Sequence, residues 1–350
     1  MNDEPLDTPP PVVSIVIPAY NCERFIAHTV RSIQAQTFRD WQCIIVDDGS
    51  KDGTLALIRG LAAADPRIRV ATQPNAGPSA ARNHGLDLVD PRSEYLCFMD
   101  SDDIWLPNAL EVLKAELERH PEAVGVHGLG TCIDKDGNEF YDPAYTENGN
   151  GRFICDSLGR VVRLDPSVPT SFKSLWFSNP YPPGLILARH STYKKIGRFD
   201  ASVCPMEDWD IIIRLARHGG LRFIKQVLLS YRRHDNNLSS QSAFVNGKQI
   251  RGLFHKTYFS PDNDPAQRQI VKDNWRAAEM MHIRHKASAA RQSLGKADLR
   301  RFATSVAGML VHLYRFARGY PTLGSLGALG RQPSSPRKPA PQPAVSESPT

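Results

Sequence analysis

Short apolar runs alternate with segments of helical periodicity along residues 12–128. An unbroken apolar run between turn signals is typical of a buried strand, and apolar residues that recur every three or four positions predict an amphipathic helix. The predicted strands are residues 12–18, 42–47, 68–72, 95–99 and 123–127. The predicted helices between them are residues 22–36, 53–64, 79–88 and 107–119.

Strands and helices that alternate at this spacing predict an α/β fold. Its central sheet is expected to be Rossmann-like and mostly parallel, with helices on both faces. In such sheets, ligands bind at the carboxyl ends of the strands. The polar residues that directly follow each apolar run are therefore the candidates for chemistry.

The regular alternation stops at residues 131–183, which are rich in Gly, Asn, Asp and Pro. We expect loops and irregular strands there, and so long a stretch without clear elements usually has a functional role. Residues 1–11 and 321–350 are expected to be disordered. The remaining predicted elements are an apolar run at 184–188, a helix at 207–218, strands at 222–225 and 227–232, and helices within 245–318.

Charge is distributed unevenly along the chain. The net charge is +6. The residues before Gly247 contain 26 Lys+Arg and 31 Asp+Glu, whereas the residues from Gly247 onward contain 17 Lys+Arg and 6 Asp+Glu. A basic end suits nucleic acid, an anionic membrane surface or a solvated helical face. We expect no nucleic acid partner, because neither an RNA-binding motif nor interleaved aromatic residues accompany the basic residues.

Cysteine usage and the first residues indicate a protein of the reducing cytoplasm. The six cysteines are scattered singly, and Cys43 and Cys97 lie in strand-like runs where buried free thiols are expected. Residues 1–11 lack the basic and apolar regions of a secretory signal. No uncharged apolar run reaches the roughly 18 residues of a transmembrane helix. We therefore expect a cytoplasmic location.

An acidic turn follows the fourth predicted strand, in the order Asp100-Ser101-Asp102-Asp103. Carboxylates so close together repel one another unless a cation holds them, and proteins bind hard divalent cations beside phosphates in this way. The alternative is a turn that caps the helix after Pro107, which explains Asp103 better than Asp100 or Asp102. We favour the metal interpretation.

Two further polar clusters follow the second and third strands. Asp48 ends the second strand, where a carboxylate can accept the imide N–H of a pyrimidine or the hydroxyls of a ribose; a plain strand-to-helix turn is the alternative. Gly77, Ser79 and Arg82 lie at the start of the third helix, where the helix dipole suits a diphosphate. A surface arginine is the alternative there.

The last cluster, Glu207-Asp208-Trp209-Asp210, opens a predicted helix. Acidic residues at a helix N-terminus are common capping residues, and this alone would explain them. Transfer to a hydroxyl, however, needs a general base within hydrogen-bond reach. No other uncommitted carboxylate in the second half of the chain is so placed, which makes Asp208 the candidate base.

Six motifs occur in order along residues 12–239. They are Val-Ser-Ile-Val-Ile-Pro-Ala-Tyr-Asn (13–21), Val-Asp-Asp-Gly-Ser-Lys-Asp-Gly-Thr (46–54), Asn-Ala-Gly-Pro-Ser-Ala-Ala-Arg-Asn (75–83), Met-Asp-Ser-Asp-Asp (99–103), Glu-Asp-Trp-Asp (207–210) and Tyr-Arg-Arg-His (231–234). With these motifs the chain resembles the inverting family 2 glycosyltransferases, which have the GT-A fold. The resemblance leaves the helical end of the chain uncovered.

The resemblance implies a role for each candidate residue. Asp208 would be the catalytic base with Glu207 as its neighbour. Asp102 would bind Mn²⁺ or Mg²⁺, and His234 would reach the metal or the diphosphate, a surface histidine being the alternative. Arg82 would lie near the diphosphate and Asp100 near the ribose. The residues expected to contact the nucleotide-sugar are Pro18, Tyr20, Asn21, Asp48, Arg82, Asp100 and Ser101.

The implied reaction moves one sugar, or a few, from a nucleotide-diphosphate sugar to an acceptor hydroxyl with inversion. We expect a UDP-sugar donor and a glycan, glycolipid or lipid-linked acceptor, as in the synthesis of surface polysaccharide, lipopolysaccharide or glycolipid. The absence of a Gln-x-x-Arg-Trp stretch and of channel helices disfavours a processive synthase. A non-catalytic nucleotide-sugar-binding regulator and a nucleotidyltransferase remain as alternatives. The glycine-free loop after the first strand disfavours the nucleotidyltransferase.

The resemblance also divides the chain. Residues 12–240 would form the GT-A domain, with a nucleotide-binding half at 12–128 and an acceptor half at 129–240. Residues 241–320 would be a helical C-terminal region.

Residues 299–318 have arginines at both ends and an apolar stripe at helical spacing. Packing on the catalytic domain is one interpretation of this helix. The other is a helix that lies on the inner membrane surface, with its arginines on anionic lipid. The predicted stripe is Leu299, Phe302, Val306, Met309, Leu313 and Phe316.

Overall fold

The computed structural model describes residues 10–142, 145, 152–177, 182–235, 237, 247–296 and 298–318. Residues 1–9 and 321–350, for which we predicted disorder, lie outside this part of the chain.

The predicted strands and helices occur in the predicted order, and the structure adds a short strand at Ile104–Trp105 and a helix at His190–Ile196, which were not predicted. The strands are β1 (Val13–Ala19), β2 (Trp41–Asp47), β3 (Ile68–Thr72), β4 (Tyr95–Phe98), β5 (Ile104–Trp105), β6 (Gly125–Ile133), β7 (Glu139–Phe140), β8 (Phe153–Cys155), β9 (Val161–Arg163), β10 (Ile186–Arg189) and β11 (Leu221–Arg232). The helices are α1 (Ile26–Gln34), α2 (Thr54–Ala64), α3 (Pro78–Asp87), α4 (Ala109–Arg119), α5 (His190–Ile196), α6 (Glu207–Ala216), α7 (Gly247–Tyr258), α8 (Pro265–Gly295) and α9 (Leu299–Arg318).

The central sheet has the strand order β3-β2-β1-β4-β10-β6-β11-β5, with β7 paired to β6. The pairs β3–β2, β2–β1, β1–β4 and β6–β11 are parallel, whereas β10 is antiparallel to both of its neighbours and β5 is antiparallel to β11. This confirms the predicted mixed, mostly parallel sheet. The chain runs outward in both directions from β1, so the carboxyl ends of β1, β2 and β4 meet at a crevice where ligands bind in such sheets.

Both faces of the sheet are covered. Because strand side chains alternate, Ile15 and Ile17 of β1 pack in one core cluster with α1, and Val16 packs in the other with α3 and α6. An unbroken apolar strand such as β1 therefore has no solvent-facing side. All six cysteines are free, and Cys43 and Cys97 are buried in this sheet as predicted.

The predicted boundaries differ from the structure most clearly at three elements. The first helix begins at Ile26 rather than residue 22, because Asn21 adopts a left-handed conformation (φ 47°) and the backbone N–H of Cys22 donates to Thr54 Oγ1. The strand predicted at 123–127 is β6, which starts at Gly125 and runs on to Ile133. The two strands predicted at 222–225 and 227–232 are a single strand, β11, whose pairing with β6 is irregular around Val227.

The predicted helices within 245–318 are α7, α8 and α9. Helix α8 begins with a capping box between Asp264 and Gln267 and has Pro265 in its first turn. Helix α9 packs along α8. Within the described residues, no helix is both long enough and apolar enough to span a membrane.

Replacing a glycine by alanine should have opposite effects on stability in α3, which packs on β1, and in α2. A Cβ at Gly85 would lie 2.3 Å from Val16 Cγ1, whereas one at Gly60 in α2 would meet nothing within 4 Å. We expect Gly85→Ala to lower the free energy of unfolding by about 1–3 kcal/mol, because the β-branched Val16 cannot move aside. Gly60→Ala should raise it by about 0.5–1 kcal/mol. Urea denaturation measures both, and a stabilising Gly85→Ala would contradict this packing.

Candidate functional site

The loops after β1 and β2 are joined by hydrogen bonds around Asn21. The Asn21 N–H donates to Ser50 Oγ at 3.0 Å, and the Lys51 N–H donates to Asn21 Oδ1 at 2.7 Å. Asn21 therefore holds the two loops together. Beside it, Tyr20 is half exposed and Pro18 is partly buried.

Asp48 is buried at the end of β2 and fastens the loop that leads into α3. Its carboxylate accepts hydrogen bonds from Gln73 Nε2 (2.7 Å), the Ala76 N–H (2.9 Å) and the Gly77 N–H (2.8 Å). A carboxylate has about four acceptor positions, so one remains for a ligand. The structure thus places Asp48 at the expected edge of the sheet and gives it a structural task there.

Arg82 in α3 is buried and contacts three carboxylates. Its guanidinium lies 2.8 Å from Asp100 Oδ1, 3.0 Å from Glu207 Oε1 and 3.1 Å from Asp208 Oδ1. It also lies over the ring of Phe199, 5.4 Å from the centroid. Arg82 therefore connects the end of β4 with the start of α6, and brings together candidate residues that are more than a hundred positions apart.

The charges of this cluster shift the pKa values of its members. Burial disfavours the charged form of Arg82, but the charges of Asp208, Asp100 and Glu207 outweigh burial and raise its pKa. Burial raises the pKa of Asp100, against the opposing effect of Arg82. Burial, with Glu207 and Asp100 nearby, raises the pKa of Asp208 to about 7, although Arg82 acts in the opposite direction.

Exposure separates the two neighbouring acids of α6. The Glu207 side chain is only 4% exposed, and its Oε2 is buried without a hydrogen-bond partner among the described residues. The Asp208 side chain is 25% exposed. Asp208 is thus the acid of this pair that a substrate can reach, and its pKa is suited to accepting a proton near neutral pH.

A second group forms around Asp102 and contains His234. His234 Nε2 lies 2.9 Å from Asp102 Oδ2, and Asn237 Nδ2 donates to the same oxygen at 3.3 Å. The His234 ring stacks on Phe25 with 4.6 Å between centroids, which fixes its orientation. Asn237 and Phe25 were missed by sequence reasoning, because no local spacing relates either of them to Asp102.

A carboxylate and an imidazole side by side are donors that suit Mn²⁺. Among the described residues, no group of three or more His, Cys, Asp and Glu side chains is arranged to hold a metal ion. Asp102 and His234 fit a divalent ion that takes its remaining oxygens from a diphosphate and water, as Mg²⁺ commonly does.

Asp103 has a role that neither interpretation of the acidic turn predicted. It is fully buried, and its Oδ1 accepts a hydrogen bond from the Arg232 N–H at 3.0 Å. Burial, together with Asp102 and Asp100, raises the pKa of Asp103 well above its usual value. It caps no helix, since α4 starts after Asn108 without a side-chain cap.

The backbone of the acidic turn is also held in place. Arg232 Nε donates to the Asp102 carbonyl, so the turn is anchored to β11. Ser101 accepts from Thr29 Oγ1 through its carbonyl.

Comparison with known proteins adds sequence relatives. Residues 14–166 match the model of Glycosyl transferase family 2. The putative glycosyltransferase EpsE of Bacillus subtilis is 29% identical over 240 residues, which cover 67% of this chain and 77% of EpsE. The chain spans only 13–24% of the length of three longer chondroitin and hyaluronan synthases from Escherichia coli and Pasteurella multocida.

Two solved structures share the fold. Residues 1–349 of Staphylococcus aureus TarS in complex with UDP-GlcNAc give a TM-score of 0.56 at 15% identity, covering 84% of this chain and 90% of that one. The mannosyltransferase PcManGT of Pyrobaculum calidifontis, in complex with GDP-Man and Mn²⁺, gives a TM-score of 0.55 at 16% identity, covering 90% and 91%. At these identities the likeness concerns the fold alone.

The Arg82 cluster predicts a pH-dependent loss of stability. Arg82→Met removes the positive charge and leaves three carboxylates facing one another, so we expect the free energy of unfolding to fall by about 3–5 kcal/mol in mildly alkaline buffer. The loss should be smaller in mildly acidic buffer, because the folded variant, whose three acids lack the cation, binds more protons than the folded wild type and so gains more stability as the pH falls. Urea denaturation in the two buffers tests this.

Arg189→Met is the matched control for Arg82→Met. The partly buried Arg189 guanidinium donates only to backbone carbonyls, those of Ala123, Leu117 and His120. Its removal should cost the same in both buffers. A loss for Arg82→Met that is equally independent of pH would show that repulsion among the three acids is not its cause.

Proposed function

The chain belongs to Glycosyl transferase family 2, and from this membership we propose that it transfers one sugar, or a few, from a nucleotide-diphosphate sugar to an acceptor hydroxyl with inversion. The family match favours this reaction over the nucleotidyltransferase alternative. The observation that carries the proposal is the position of Asp208, a reachable carboxylate with a pKa of about 7 that shares Arg82 with Asp100.

The reaction we propose is a single displacement. Asp208 accepts the proton of the acceptor hydroxyl while that oxygen attacks the anomeric carbon and the nucleoside diphosphate leaves. Arg82 holds Asp208 in place and limits the rise of its pKa, so that the base is partly ionised at neutral pH. Glu207 contacts the same guanidinium nitrogen of Arg82 as Asp208 does, and so helps to hold Arg82 in place.

The donor would bind in the crevice at the ends of β1, β2 and β4. Tyr20 and Pro18 would face the nucleoside, with the remaining acceptor position of Asp48 beside them. Asp102 and His234 would hold Mn²⁺ or Mg²⁺, which when bound stabilises the negative charge on the departing diphosphate. Support for this comes from the Mn²⁺ found with GDP-Man in PcManGT, and support for a UDP-sugar comes from TarS with UDP-GlcNAc.

The acceptor would be a glycan, a glycolipid or a lipid-linked sugar, in the synthesis of surface polysaccharide, lipopolysaccharide or glycolipid. The similarity to polysaccharide synthases over part of their length supports this class. Residues 129–240, which include Asp208, would supply the acceptor side of the site, and residues 12–128 the donor side.

The proposed base predicts how the rate depends on pH. Because the ionised form of Asp208 is active, kcat/KM should rise with pH through about 7 and then level off.

Asp208→Asn keeps the shape of the side chain but cannot accept a proton, so we expect it to bind donor normally and to lose at least about 100-fold in kcat. Steady-state kinetics across the pH range measure both effects.

Asp210→Asn in the same helix is the control for Asp208→Asn. Asp210 is buried and paired with Arg214 and Lys256, so this change should cost stability and leave the pH at half-maximal kcat/KM unchanged. If Asp208→Asn retained the wild-type rate, Asp208 would not be the base. A parallel loss of donor affinity would give Asp208 a structural role instead.

The proposed metal pair predicts a coupled effect on nucleotide binding. Nucleotide raises the melting temperature by mass action, and we expect UDP with Mn²⁺ to raise it more than GDP or dTDP with Mn²⁺. Asp102→Ala should abolish the increment due to Mn²⁺, because the diphosphate charge then lacks its bridging ion. Asp136→Ala, at an exposed acid, should keep it. A full Mn²⁺ effect in Asp102→Ala would place the metal elsewhere.

A further inference from the structure

Helix α9 presents one side to α8. Ser305 and His312 of this inner side are buried or nearly so; His312 Nδ1 lies 2.6 Å from Glu279 Oε2, and its ring stacks on His282 with 4.8 Å between centroids. Phe302, Val306, Met309 and Phe316 of the predicted stripe are partly buried. The contact with Glu279 and His282 fixes how α9 is rotated on α8.

The predicted apolar stripe is therefore divided, and its two leucines are exposed. Leu299 is 73% exposed, Leu310 57% and Val311 47%, and Leu313 and Tyr314 are also exposed. At about 100° per residue, Leu299 and Leu310 fall about 20° apart, and the small Ala303 and Ala307 lie beside them. We call Leu299, Leu310 and Val311 the outer face of α9. It is apolar and lies away from the side held by His312.

A basic residue lies within the outer face. Arg300 is exposed, and at about 100° per residue it falls between Ala307 and Val311. Arg301 is also exposed but falls about 20° from His312, on the inner side. Residues 265–318, which span α8 and α9, contain eleven Lys and Arg against three Asp and Glu. An apolar strip on a helix, with an arginine beside its apolar side chains and within a strongly basic region, is the pattern of helices that lie in a membrane interface.

Charge distinguishes the surfaces that could cover the outer face. A second copy of α9 laid against it would bring two basic regions together, which is unfavourable. Residues 319–350 carry three basic residues and one acidic residue, so they cannot neutralise the arginines. A lipid surface with anionic headgroups can receive the leucine side chains in its apolar interior and attract the basic residues with its negative charge.

We propose that α9 docks the protein on an anionic lipid surface through its outer face, with Arg300 on the headgroups. The proposal goes beyond sugar transfer and does not depend on it, because it concerns residues outside the candidate site. Reversible attachment is the expected form, since one apolar strip and a few basic residues are available.

The test is flotation of the full chain with vesicles of phosphatidylglycerol and phosphatidylcholine, and with vesicles of phosphatidylcholine alone. We expect binding to the anionic vesicles and little to the neutral ones. Leu299→Gln combined with Leu310→Gln should lower the vesicle affinity at least about tenfold, and Arg300→Gln should weaken binding and its salt dependence. Both changes are at exposed positions of a helix, so the melting temperature should be unchanged.

Matched changes elsewhere serve as controls. Leu158→Gln combined with Val161→Gln removes equally exposed apolar side chains near the β8–β9 turn, and Arg59→Gln removes an exposed arginine of α2. These variants should bind anionic vesicles like the wild type. Wild-type affinity in the Leu299 and Leu310 double variant would overturn the proposal. A second result would also overturn it: the wild type fails to float with anionic vesicles and is a dimer in sedimentation equilibrium, whereas the double variant is a monomer. The outer face would then bind a second copy of the chain.

Discussion

One buried arginine surrounded by carboxylates is the constraint on which the site depends. Removing the charge of Arg82 from water costs several kcal/mol unless acids compensate it, and Asp100, Glu207 and Asp208 come from two distant parts of the chain to do so. The same requirement holds in reverse, since these acids repel one another without Arg82. The end of β4 and the start of α6 are therefore held in one arrangement, across the boundary between the proposed donor and acceptor sides.

This arrangement divides the acids by task. Asp100 is committed to Arg82, and Asp103 is committed to the backbone of Arg232. Asp102 remains to pair with His234, beside Asn237. Asp208 is the more exposed acid of α6, with its pKa raised towards neutrality. Different surroundings thus give chemically identical side chains the tasks of charge balance and anchoring, and the proposed tasks of metal binding and proton transfer, which is a general route to catalytic specialisation.

The two ends of the described chain use different physical devices. In the α/β part, apolar strands are covered on both faces and polar residues are confined to the strand ends. Among the described residues, only one side of α9 is covered, and that side is held by the contact between His312 and Glu279. The outer face of α9 leaves its leucines exposed next to Arg300, and exposed apolar strips of this kind commonly mark a site of interaction.

The sequence by itself determined the alternation of strands and helices, the parallel sheet and the clustering of motifs at one edge, because periodicity and strand direction are local properties that propagate to the fold. It also pointed to Asp48, Asp100, Asp102 and Asp208. Tertiary structure alone decided that Arg82 joins three acids, that Asp103 binds the backbone of Arg232, that Asn237 and Phe25 lie with Asp102 and His234, and which side of α9 is exposed. These contacts join residues as far apart in the chain as Phe25 and His234, and no local pattern specifies which distant partner a side chain meets.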